Sequence, residues 1–412
     1  MKLNFLLVPL MALMVIIGGG RSGNPPLAAT PLQEGQNPLD GNLITSQTKF
    51  AFDFQSELYR TNPGKNCFIS PLSAALALAM TYNGANGETK EAMEDALHLR
   101  GFNPGQVNAF FKKLMVILQN TDPKIELNIA NSIWYRRDLD FKQSFFNLVK
   151  ENYNAHLEPL TDAETINHWV DEKTKGRINR IIDSIDPADM MVLINALYFK
   201  GMWASEFKEE KTLNDEFALA VGNKIIFPLM RQDGKFRYLE NDSFQAINLP
   251  YGDKHMSMYV FLPRENYSLD GFMQTLGAEN WNDWQIRFRE CEGEIRLPKF
   301  KMEYEQVLND ILFAMGMGIA FDPVGADFSA MYEPQRGTNL YISIVKQKTF
   351  LEVNEKGTEA AAVTAVKMKL TAARPDEERK FLMVVNRPFF MAIVDNQTGI
   401  ILFTGAITDP RG

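Results

Sequence analysis

Cysteine and histidine are scarce in this chain of 412 residues. Two thiols, Cys67 and Cys291, are too few for a disulfide scaffold. Their spacing fits no zinc motif; buried free thiols are the expected state, with a Cys67–Cys291 pair in an oxidising compartment as the alternative. The four histidines are His98, His156, His168 and His255. None lies in an H-E-x-x-H pattern, and neither a G-x-S-x-G elbow nor a G-x-x-x-x-G-K-[ST] loop is present. Gly316-Met317-Gly318 lacks the third glycine of a dinucleotide fingerprint. No nucleophile, base and orienting group stand out as a set, so an enzyme is not expected, nor is a metal or other cofactor. A basic surplus is missing too. The net charge of −8 argues against a nucleic-acid partner. No internal repeat and no long charge run break the chain.

What the chain does have is apolar residues, 45% of the total and ample for a large core. Met1-Lys2 precedes an apolar run from Phe5 to Ile17 that ends at Gly18-Gly19-Gly20. That layout predicts a secretory signal over residues 1–20 and hence an extracellular or periplasmic protein. An uncleaved N-terminal anchor is the competing reading, but the run is short for a bilayer and no membrane partner is expected. Residues 21–43, rich in Gly, Pro, Asn and Ala, read as a flexible spacer. No second linker of that kind follows, so residues 44–412 are expected to form one domain.

Helical periodicity dominates the first half. Phe50, Phe54 and Leu58 recur every four residues up to Asn62-Pro63-Gly64. Helices are further expected over 71–82, 88–97, 107–118 and 166–182. Extended apolar runs mark the second half, at 256–262, 389–394 and 400–403. Between the last two, Asn396-Gln397-Thr398-Gly399 reads as a hairpin turn. Helices followed by strands point to an α+β fold.

The most unusual stretch is Glu355 to Leu370. Read with period two, one row is Thr358, Ala360, Ala362, Thr364, Val366, Met368 and Leu370. The other is Glu359, Ala361, Val363, Ala365, Lys367 and Lys369, which carries every charge. Such alternation suits a strand with one buried face. The following residues, through Arg374-Pro375-Asp376 to Lys380, read as exposed loop. By local propensity alone the alanines suit a helix equally well.

Glu355 to Thr364 resembles the reactive-loop hinge of the serpin family of protease inhibitors. Other blocks agree, in the family's order: Phe68-Ile69-Ser70-Pro71-Leu72-Ser73, Asn195 to Trp203, Leu297-Pro298-Lys299-Phe300, Ala326-Asp327-Phe328-Ser329, Arg387-Pro388-Phe389 and Gly399 to Gly405. The resemblance implies a serpin-like fold of three β-sheets and eight to nine helices, with an exposed reactive loop at about 355–380. It implies a suicide inhibitor whose loop, once cut, inserts into the largest sheet and traps the protease.

Residue by residue, the resemblance assigns a hinge to Glu355, Gly357, Thr358, Glu359, Ala360, Ala361 and Ala362. It assigns a polar shutter to Ser70, Ser73, Asn195 and Gln347, where the family usually has histidine in place of Gln347. A breach is assigned to Trp203, Lys299 and Glu355, the last two as a surface ion pair of about 0–1 kcal/mol. The family's spacing from the hinge sets the reactive bond at Thr371-Ala372. Leu370-Thr371 and Lys369-Leu370 are the rival bonds. The expected partner is a serine protease, elastase-like or otherwise small-pocketed, with trypsin-like, chymotrypsin-like and cysteine proteases as alternatives. A monomer is expected. A non-inhibitory carrier, chaperone or storage role is the other reading.

Overall fold

The computed structural model describes residues 39–119, 122–335, 337–358 and 381–412. The expected signal, residues 21–38 of the spacer, and residues 359–380 with the expected reactive bond lie outside them. Helix α1 (Gly41–Thr61) opens within the stretch read as spacer, because the Asp40 carboxylate accepts from the Asn42 and Leu43 backbone N–H groups. It stops before Pro63-Gly64. Its Leu43, Phe50, Phe54 and Leu58 form the buried stripe. Helix α2 (Pro71–Tyr82) is buried all round, with Ser70 as its N-cap and Pro71 at its first turn. Helices α3 (Gly87–Ala96), α4 (Pro104–Gln119) and α5 (Gln143–Tyr153) follow.

The helix expected over 166–182 is shorter than its periodicity. Helix α6 (Ala163–Lys173) ends where Lys175 and Gly176 take positive φ. Its apolar pattern continues because Ile178, Ile181 and Ile182 of the following connector pack beside it. Three short helices complete the set among the described residues: α7 (Leu269–Met273), α8 (Ala278–Arg287) and α9 (Asn309–Leu312).

The helices and mixed sheets are those of the expected fold; among the described residues the strands join in two hydrogen-bonded sets, the larger taking in two of the three expected sheets. The larger one runs β1 (Cys67–Ile69), β15 (Ile401–Ile407), β14 (Phe389–Asp395), β8 (Met256–Pro263), β7 (Phe244–Tyr251), β6 (Lys224–Glu240), β9 (Arg289–Pro298) and β13 (Phe381–Val384). Strand β5 (Leu213–Ala218) also pairs with β6. The long β6 is what merges two of the expected sheets: its start pairs with β5, its middle with β9, and its end with β7.

The second sheet runs β10 (Phe300–Val307), β11 (Ile344–Asn354), β12 (Gly357–Thr358), β4 (Met191–Met202), β2 (Ile125–Tyr135) and β3 (His156–Pro159). Both of its faces are covered. Leu193, Leu197, Phe199, Val345 and Leu351 point into the main core. Val192, Ile194, Ala196, Tyr198 and Phe350 point the other way, into a second core made with α6 and its connector. Cys67 and Cys291 are free thiols, Cys67 buried and Cys291 half-buried.

Candidate functional site: the seam of the six-stranded sheet

Strands β4 and β11 lie side by side and parallel from Val192↔Ile344 to Tyr198↔Phe350. Past that point they part, and β12 fills the gap. Thr358 faces Val353 on one side and Gly201 on the other, antiparallel to both. The chain leaves β11, turns through Glu355-Lys356, and comes back as the beginning of a new central strand. Gly357 is required there. Its φ is +149°, and a Cβ at that position would lie 2.1 Å from the Gly201 carbonyl oxygen. Thr358 is fully buried, and its Oγ1 shares a 2.7 Å hydrogen bond with the Tyr251 hydroxyl. Burial drives the Tyr251 phenol far above its ordinary range, so it stays neutral beneath the hinge.

The turn itself is tied down. The Trp203 indole N–H donates to the Asn354 carbonyl at 2.9 Å, and its ring stacks on Tyr251 at 4.4 Å. The Trp203 and Phe207 backbone N–H groups donate to the Lys356 and Glu355 carbonyls. Lys299 Nζ lies 2.9 Å from Glu355 Oε2, and Thr212 donates to Glu355 Oε1 at 2.7 Å. This pair is not the surface contact expected, because Glu355 is only 6% exposed. Burial alone would push its carboxyl up. The bonds from Thr212 and Lys299 outweigh that and hold it below the ordinary carboxylate range.

Farther down the seam, on its core side, Ser70, Ser73, Asn195 and Gln347 meet in one buried network. Gln347 accepts from the Ser70 N–H at 2.8 Å through Oε1. Its Nε2 donates to the Ser70 carbonyl at 2.9 Å and to Asn195 Oδ1 at 2.6 Å. Asn195 Nδ2 donates to the Ser73 carbonyl at 2.9 Å, to Ser73 Oγ and to Asn131 Oδ1. Ser70 Oγ donates to the Leu402 carbonyl at 2.6 Å while also capping α2. A glutamine therefore satisfies this cluster in full with its own donor and acceptor.

Sequence reasoning missed Asn131, Thr212 and Tyr251, and Thr349, whose Oγ1 donates to the Phe68 carbonyl at 2.7 Å beside the network. Asn131 had a signal: it interrupts the alternating apolar row Ile125, Leu127, Ile129, Ile133, a pattern of strand type with a polar residue in a core position. Thr212 and Tyr251 carry no such mark, since only the fold brings them under the hinge. Of the expected hinge, Glu355, Gly357 and Thr358 are described; Glu359 to Ala362 lie outside the described residues. The charged row of the alternating segment reads from sequence as a solvent face. That row lies outside the described residues; on β4 and β11 themselves, Tyr198 and Phe350 of the outer face are buried in the second core.

A family model described as Serpin (serine protease inhibitor) matches residues 45–410, nearly all of the folded chain. The chain belongs to the serpin family. An uncharacterised serpin-like protein of Thermococcus kodakarensis is 36% identical over 387 residues, covering 92% of this serpin and 88% of the relative. The leukocyte elastase inhibitor of Xenopus laevis is 34% identical over 385 residues, covering 90% of this chain and all of the relative. Among solved structures, the thermophilic serpin tengpin in its native state superposes with a TM-score of 0.84 at 34% identity, over 91% of this chain and 96% of tengpin. Human thyroxine-binding globulin with its ligand gives 0.81 at 26% identity, over 90% of this chain and 99% of that one.

Proposed function

We propose that this serpin is a suicide inhibitor of a serine protease, acting as a monomer. The protease cuts the segment after Thr358, and the freed strand continues into the seam between β4 and β11. The observation that carries this reading is the hinge itself. Gly357 and Thr358 already pair antiparallel with both neighbours, so further insertion needs only continuation of an existing register. The same register sends Thr364 to the level of Asn195 and Gln347. It sends Ala361 to the level of Tyr198 and Phe350, on the face covered by the second core, where a small side chain enters most easily. Ala360, Ala362 and Ala365 are equally small.

The reactive bond is Thr371-Ala372, which favours a small-pocket, elastase-like protease, with Leu370-Thr371 and Lys369-Leu370 as rival bonds. Similarity to the leukocyte elastase inhibitor supports the same class. Residues 1–20 act as the secretory signal in this proposal. The test is incubation with a panel of serine and cysteine proteases, read on a denaturing gel. A covalent complex and a released fragment beginning at Ala372 are expected. Thr371→Arg should redirect inhibition to trypsin-like enzymes. Cleavage without any complex, across the panel, would favour a non-inhibitory role such as ligand carriage, the thyroxine-binding globulin being a structural neighbour that holds a small ligand.

A further inference from the structure

Helix α6 and its connector form a cover over the seam. The second core joins Trp169, Val170, Ile178, Ile181 and Ile182 of the cover to β4 and, across the seam, to Phe350 of β11. Asn167 binds the connector to the helix, donating to the Ile182 carbonyl and accepting from the Ile181 and Ile182 N–H groups. At the far edge, Lys348 of β11 donates to the Arg180 carbonyl at 2.8 Å and pairs with Glu303 and Glu305. An added strand would widen the seam by about 4.8 Å. A cover anchored on both sides cannot stay fully seated through that change.

The other edge of the cover is held by three rings. The His156 imidazole on β3 stacks on the Trp169 indole of α6, with centroids 5.2 Å apart, and lies 5.2 Å from Trp134 of β2. The two indoles meet edge to face at 6.1 Å. His156 Nε2 lies 2.8 Å from Glu158 Oε2. Trp134 donates to Ser132 Oγ, but Trp169 Nε1–H is buried with no acceptor among the described residues. Burial in the second core and ring contacts, rather than a hydrogen bond, therefore seat Trp169, so the charge on the stacked imidazole bears directly on its hold.

We propose that His156 is a pH-sensitive pin: its protonation tightens α6 against the sheet and slows the parting of β4 and β11. The proposal rests on the loop-insertion reading. Histidine changes charge between about pH 5 and 8. An imidazolium here is held by Glu158 on its own strand and gains, across the contact with α6, the stacked face of the Trp169 indole. The facing groups are Glu158 from β3 itself, Trp134 and Ser132 from β2, and Trp169 from α6. Tyr135 of β2 lies within electrostatic reach of the Glu158 carboxylate. Along α6 the ionisable residues next to Trp169 are His168, Asp171, Glu172 and Lys173.

The test compares the full chain with its His156→Phe variant, which keeps a stacking ring and removes the charge. Amide hydrogen exchange over residues 163–173 is measured for both proteins at about pH 5.5 and pH 8, and the ratio at each pH cancels the intrinsic pH effect. The wild type should exchange roughly threefold to tenfold more slowly than the variant at the lower pH, with the ratio falling toward one at the higher. Glu158→Gln should reduce the difference. An equal ratio at both pH values overturns the pin. The second readout is the rate at which the nicked chain gains thermal stability; it should rise with pH in wild type and less so in the variant. Exchange that responds to pH while this rate does not would overturn the coupling to the seam. A nicked chain that gains no stability at any pH would instead defeat the insertion reading, with the exchange result still judging the pin.

Discussion

Gln347 Nε2 donates to Asn195 Oδ1 at 2.6 Å across the seam between two parallel strands, at the level to which the hinge register carries Thr364. The bond closes the seam in the intact protein and has to be replaced when a strand enters. Thr364, on the same row as buried Thr358, brings one hydroxyl able to donate to one amide and accept from the other. Nicking should raise the melting temperature sharply, and Thr364→Val should reduce that gain while leaving the intact form's midpoint unchanged. The loss in the nicked form should be about 1–3 kcal/mol, the cost of a buried amide left unpaired. Melting curves of four samples, intact and nicked, with and without the substitution, check this. A nicked form no more stable than the intact one would sink the insertion mechanism itself.

Gln347→Leu tests the closed seam. The substitution keeps the bulk of the side chain but orphans the Ser70 N–H and Asn195 Oδ1, both buried, while the Ser70 carbonyl keeps only its bond from the Ala74 N–H. A loss of about 3–5 kcal/mol is expected in the intact form. Equilibrium urea unfolding should show the midpoint falling. Gln347→His keeps a donor and an acceptor on a rigid ring and should cost less. If leucine is tolerated as well as histidine, the network contributes packing rather than hydrogen bonds.

The Lys299–Glu355 pair predicts an acid-dependent step at the head of the seam. Because the Glu355 carboxyl is held below its ordinary range, its contribution to stability is present above that range. It is lost as the pH falls through the lowered value. Wild type should therefore exceed Glu355→Gln in stability at neutral pH, and the gap should close in acid, below about pH 4. Thermal midpoints of both proteins between about pH 3 and pH 7 measure it. A gap of constant size would mean that the carboxylate's charge contributes nothing.

Much of this architecture was legible because local signals and tertiary demands coincide. The helices at 71–82, 88–97 and 107–118 and the strands flanking the hairpin at 396–399 lie within a few residues of their expected places. Where the two diverged, the sequence misled. Ile178, Ile181 and Ile182 continue a helical apolar pattern, yet they belong to a connector that bends at Lys175-Gly176 and still packs the same core. The strand at 125–135 shows alternation only in its first half, because Ala130 and Trp134 on its other row are buried as well. The seam network was found from motif resemblance at four positions. Asn131 joins it through strand register, which periodicity cannot supply, and Thr349 donates beside it to the Phe68 carbonyl. The covered outer face of β4 and β11 was invisible for a similar reason: only the fold brings α6 and its connector across Tyr198 and Phe350.

Thr358 and Glu359 provide the sharpest contrast. Thr358 is fully buried against Tyr251 on the core side of the sheet. By the same register Glu359 falls at the level of Lys200 and Glu352, both half-exposed on the other face and above the second core. Thr358→Arg would put a long cation where only a hydroxyl fits, and an unpaired buried charge costs several kcal/mol even after relaxation. The hinge should leave the sheet in the intact protein and resist re-entry after cleavage. A barrier higher by about 4 kcal/mol slows insertion roughly a thousandfold. Hydrolysis of the acyl-enzyme should then win, so the variant is cut at the same bond but no longer traps the protease. Glu359→Arg exchanges one ion-pair partner, Lys200, for another, Glu352, and should change little. The measurement is the number of inhibitor molecules consumed per protease inactivated. A ratio near wild type for Thr358→Arg, or equal damage from Glu359→Arg, would show that the inserted strand does not continue the register set by Gly357 and Thr358.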